Sequence, residues 1–106
     1  MSTRATYLLS TAYDNDKICF YIHQDGYPAG AANYFHNMHQ CKNARAGFAG
    51  RFFRANANAE FTPCHETDGD TEFRYTLNTQ SVLRAWKKER ANNQWNLFYQ
   101  SAGIIL

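Results

Sequence analysis

The chain has 106 residues and carries eleven basic against nine acidic side chains, a net charge of +2, so it reads as a single domain, 1–106, with no bias strong enough to dictate a polyanionic partner. Eight Phe, seven Tyr and two Trp supply a core that folds without staples, since each large ring buries roughly 150–250 Å². Cys19, Cys41 and Cys64 are odd in number and widely spaced, which argues against a disulfide framework and for a reducing, cytoplasmic setting.

Ala5 to Thr11 reads as a strand, and its apolar pair Leu8-Leu9 is cut by Ser10 and Thr11, so no signal peptide is expected there. Asp14-Asn15-Asp16 reads as a turn. Lys17 to His23 alternates Ile18, Phe20 and Ile22 with Cys19, Tyr21 and His23. Two apolar faces predict a central strand. In Asp25-Gly26-Tyr27-Pro28, Pro28 opens a helix and Asp25 is expected to cap it. Ala31, Tyr34, Phe35, Met38 and Cys41 then fall on one helical stripe. A second helix is predicted over about 46–56, with Phe48, Ala49, Phe52, Phe53 and Ala55 buried and Arg51 and Arg54 toward solvent. Ala55 to Ala59 alternates Ala and Asn and lets that helix fray.

The remainder reads as an antiparallel meander. Phe61 to His65 is expected at an edge because of Pro63, and Asp68-Gly69 signals a hairpin. Glu72 to Asn78 puts Phe73, Tyr75 and Leu77 on one face. Gln80 to Arg90 fits a helix or a strand. The strand, with Arg84, Trp86 and Lys88 on one side, is preferred because Arg90 to Asn93 supplies a turn and the flanking strands need a partner. Trp95, Leu97 and Tyr99 alternate in the last strand. The expected fold is α+β: an antiparallel sheet of five or six strands with two helices on one face, in the order β-β-α-α-β-β-β-β. The terminal Ile104-Ile105-Leu106 is too short to span a membrane, and no membrane partner is expected.

Ser2-Thr3-Arg4 and His23-Gln24-Asp25-Gly26-Tyr27-Pro28 resemble the S-T-R start and H-x-D-G-Y-P turn of short, uncharacterised proteins of phages and other mobile elements. The resemblance implies a hairpin, a helix and antiparallel strands, and an origin as a phage accessory gene or integron cassette. It implies no activity and carries over no catalytic or binding residue.

The residues themselves suggest several chemistries. His36 and His39 are three apart on a helix, but no acid in that helix joins them, and His65, Cys64 or an acid elsewhere would have to complete a metal site. Adjacent Cys64 and His65 point to opposite faces of a strand. Cys19 and His23 lie about 13 Å apart at strand rise. His23 and Asp25 are a conceivable proton-transfer pair, with helix capping by Asp25 and packing of His23 on Tyr21 or Tyr27 as the plain alternative. Asp68, Asp70 and Glu72 stop short of a calcium loop. No catalytic set, metal site or cofactor is therefore expected. The leading expectation is a noncatalytic accessory or protein-interaction module, docking a protein partner or itself as a homodimer through surplus aromatic and aliphatic surface. The alternative is a small nucleic-acid-binding protein using Arg84, Trp86, Lys87, Lys88 and Arg90, with Trp95 and with Arg51 and Arg54 extending the surface. A pI near 8.5 weighs against that alternative.

Overall fold

The computed structural model describes residues 3–11, 16–41, 47–65, 69–89 and 91–101. Its elements run β1 (Ala5–Ser10), β2 (Lys17–Ile22), α1 (Pro28–Gln40), α2 (Gly47–Ala55), β3 (Glu60–Thr62), β4 (Phe73–Leu77), β5 (Leu83–Lys88) and β6 (Trp95–Gln100). The expected α+β order is the observed one. The strands form one sheet ordered β3-β2-β1-β4-β5-β6. All pairs are antiparallel except β1 with β4.

That parallel pair corrects the meander. β3 does not form a hairpin with β4, for β2 and β1 lie between them. Parallel strands need a crossover rather than a tight turn, and the segment from Pro63 to Glu72 supplies it; Asp68 of the presumed hairpin turn lies outside the described residues. The crossover's described residues His65 and Asp70 meet β1 and β2 on the face away from the helices. Thr6 Oγ1 hydrogen-bonds His65 Nδ1, the Tyr21 hydroxyl donates to Asp70 Oδ2 at 2.9 Å, and Arg4 Nε pairs with Asp70 at 3.3 Å. Pro63 ends β3 after three residues, so the edge strand is shorter than the sequence suggests.

On the other face α1 and α2 cover the middle of the sheet. Ala5, Tyr7 and Leu9 of β1, Phe20 and Ile22 of β2, and Phe73, Tyr75 and Leu77 of β4 point into this layer and meet Ala31, Phe35, Met38, Ala49 and Phe52. Period-two alternation on the strands and the Ala31, Phe35, Met38 stripe on the helix are thus two halves of one core. Tyr7 is its hub, with ring centroids 5.0 Å from Phe52, 5.1 Å from Tyr75 and 5.8 Å from Phe35. Asn56 does not fray out: it is buried, its amide donates to the Phe52 and Tyr34 carbonyls, and its Oδ1 accepts from Asn37. Buried amides cost free energy unless bonded, and here the bonds lock α2 to α1.

Two local expectations fail. Asp25 does not cap α1: the N-cap is Tyr27, with no side-chain cap bond, and Asp25 sits at φ 57° with its carboxylate accepting from the Tyr27 hydroxyl. Pro28 at N1 already removes one orphan donor, which lowers the need for a cap. Phe53, assigned to the buried side of α2, is 43% exposed and stacks on Phe61 at 4.7 Å. The Asp14-Asn15 turn and Ile104-Ile105-Leu106 lie outside the described residues.

Candidate functional site

Helices cover one face of the sheet, and His65 and Asp70 of the crossover meet β1 and β2 on the other. The outer face of β4, β5 and β6 is left open. Because Phe73, Tyr75 and Leu77 point inward, Arg74 and Thr76 point out. Cross-strand register then sets Arg74 opposite Trp86 and Thr76 opposite Arg84, and Trp86 opposite Leu97 and Lys88 opposite Trp95. Directly opposed residues of an antiparallel pair share a face. Arg74, Arg84, Trp86, Lys88, Trp95 and Leu97 therefore form one surface.

Its geometry is that of cations against indoles. The Arg74 guanidinium lies 4.0 Å from the Trp95 ring centroid and Lys88 Nζ 5.8 Å from it. Both are within cation–π range. Among the described residues, Arg74 Nε is buried without a hydrogen-bond partner. Arg84 Nε donates to Gln100 Oε1 at 3.2 Å, and Lys88 Nζ to the Gly69 carbonyl at 3.0 Å. Among the described residues no carboxylate forms an ion pair with any of the three. Asp70, at the rim, is occupied by Arg4 and Tyr21.

Four of the eight sequence candidates, Arg84, Trp86, Lys88 and Trp95, are thus brought together. Lys87 points to the helix side, 5.9 Å from the Phe73 ring. Arg51 and Arg54 sit on α2 in the helical layer, Arg51 over Phe48 at 5.9 Å, so neither extends this surface. Arg90 lies outside the described residues. Arg74 was missed, although the alternation that buries Phe73 and Tyr75 places it on the open face.

The edge strand β6 presents a second feature. A bulge opposite Ala85 and Trp86 breaks its alternation: Ala85 pairs with Tyr99 and Trp86 with Leu97. Tyr99 therefore does not share a face with Trp95 and Leu97 as the sequence suggests. The extra residue of a bulge shifts everything beyond it by one position, and Phe98 and Tyr99 both turn to the helix side. Leu97, Phe98 and Tyr99 are 48%, 47% and 49% exposed. Phe98 and Tyr99 form one wall of an apolar trough of about 550 Å³ whose other wall is α1, with His36 and His39 along it.

His23 Nε2 pairs with Glu60 at 2.6 Å and its ring packs on Tyr21, so it is not paired with Asp25. Burial, reinforced by Arg51, lowers the pKa of His39. Among the described residues no group of three or more His, Cys, Asp or Glu could hold a metal ion. None of the three cysteines is in a disulfide. No helix among the described residues is long and apolar enough to cross a membrane. The two signature segments meet each other: the Gly26 amide donates to the Thr3 carbonyl at 2.9 Å, and a Cβ on Gly26 would stand 2.7 Å from that of Ala5. The Tyr75 hydroxyl donates to the Gly26 carbonyl. The motif thus joins the start of β1 to the head of α1. Comparison with protein families, with curated proteins and with solved structures finds no match to the chain.

Proposed function

We propose that the chain is a noncatalytic, cytoplasmic interaction module of a mobile genetic element, docking a protein partner along the free edge of β6. The mobile-element origin rests on the S-T-R and H-x-D-G-Y-P segments. The docking reading rests on one observation: β6 is an edge strand of six uncharged residues with Leu97, Phe98 and Tyr99 all about half exposed. Edge strands are normally blunted by charge, proline or brevity. The other edge, β3, has brevity and Pro63; β6 has none of these. Its open N–H and C=O groups fit a partner strand, and its side chains offer apolar contact on both faces.

The first partner to test is β6 of a second copy. Antiparallel pairing about a two-fold axis meets the same uncharged strand and creates no like-charge contact within it. Sedimentation velocity across a concentration series should show a dimer that resists added salt, because the contact is apolar and backbone-mediated. Leu97→Lys with Tyr99→Lys should return the chain to a monomer with an unchanged circular dichroism spectrum. A wild-type protein that stays monomeric at every concentration and captures no extended peptide in a display screen counts against the reading.

A further inference from the structure

We propose that the open face of β4, β5 and β6 binds a single strand of nucleic acid, its unpaired bases on Trp86 and Trp95 and its phosphates on Arg74, Arg84 and Lys88. The three cations and Trp86 lie on β4 and β5, and Trp95 alone comes from β6, the strand of edge docking; the face is therefore distinct from the free backbone edge that docking uses.

Charge complementarity selects the occupant. Three cations share the face and none is neutralised by a carboxylate among the described residues. Two indoles lie between them, and these are the only two tryptophans of the chain. Interleaved rings and cations suit a chain that alternates flat bases with anionic linkers. Three strands about 4.8 Å apart give a surface roughly 10 Å across, wide enough for two or three nucleotides and open enough to admit unpaired bases. Arg74 sharpens the assignment. A guanidinium held on an indole keeps its planar fork oriented, so less freedom is lost when it binds a phosphate. A duplex keeps its bases stacked away from the indoles and meets only the cations.

Because both tryptophans lie on this face, their fluorescence reports the site. Titration with an oligothymidylate or an oligouridylate single strand should quench it, and the stronger quencher of the two identifies the preferred sugar. Affinity should fall with salt, the logarithmic slope being about −2 for three phosphate contacts. Arg84→Gln and Lys88→Gln should each flatten that slope by about 0.7. Arg74→Ala and Trp86→Ala should each weaken binding at least tenfold, and Trp86→Phe should retain most of it and covers the case in which the alanine variant misfolds. Lys87→Gln and Arg54→Gln, on the opposite side, should bind as wild type does. Sedimentation of Arg74→Ala should match wild type, so that failure here is separable from failure of edge docking. Absence of quenching at low salt overturns the proposal. So does equal affinity for duplex, or a loss in Lys87→Gln as large as in Arg84→Gln, either of which reveals unspecific attraction to a cation-rich surface.

Discussion

Tyr7 and Tyr75 stack in the centre of the core, yet their hydroxyls stand differently. Tyr75 donates to the Gly26 carbonyl at 2.6 Å, whereas the Tyr7 hydroxyl is buried with no hydrogen-bond partner among the described residues. Burial raises both pKa values well above that of a free phenol, so both rings stay neutral. A buried polar group without a partner costs about 1–3 kcal/mol, and removing one member of a buried pair costs a similar amount. Tyr7→Phe should therefore leave stability unchanged or raise it by up to about 1–2 kcal/mol, while Tyr75→Phe should lower it by about 1–3 kcal/mol. Urea denaturation of the two variants checks the contrast. Equal destabilisation of both would mean that the Tyr7 hydroxyl is bonded after all.

At the scale of elements, α2 shows how far helical periodicity reaches. Phe52 is fully buried and contacts the rings of Tyr7, Phe20 and Phe35, while its neighbour Phe53 leans outward over β3. Phe52→Ala should cost about 3–5 kcal/mol and Phe53→Ala a small part of that, measured by the same denaturation. Phe52 was legible as buried; the outward turn of Phe53 was not, because the short β3 meets it only through Phe61. Strand alternation was more informative. It placed Phe73, Tyr75 and Leu77 inward and Arg84, Trp86 and Lys88 together, and it implied Arg74. It failed at β6, where a bulge with no marker in Trp95-Asn96-Leu97-Phe98-Tyr99-Gln100 turns Tyr99 over. The Asp68-Gly69 hairpin failed for a different reason. Local turn chemistry cannot register that β1, 68 residues earlier in the chain, takes the place beside β4 that a hairpin would give to β3. Likewise Asp25 has the right chemistry for a cap, but Pro28 starts the helix three residues on and Tyr27 takes the N-cap position.

Across the whole molecule, protection falls from the centre of the sheet toward β6. β1 is hydrogen-bonded on both sides, lies beneath α2 on one face, and meets His65 of the crossover on the other. β6 is bonded on one side, beyond the reach of the helices. Amide exchange tracks local opening, which is rarest where burial and hydrogen bonding coincide. In dilute solution the amides of β1 should exchange slowest and those of β6 fastest among the six-residue strands. If β6 pairs with a second copy, its outward amides acquire partners. Mass action then couples their protection to concentration. Hydrogen–deuterium exchange at two protein concentrations should therefore slow in β6 alone, with β1 unchanged, and Leu97→Lys with Tyr99→Lys should abolish the difference. Nucleic acid binding predicts another pattern: added single strand slows exchange across β4 and β5 as well, independently of protein concentration. Exchange in β6 that is as slow as in β1 in dilute wild-type protein would show that its edge is already covered within one chain, and edge docking would lose its basis.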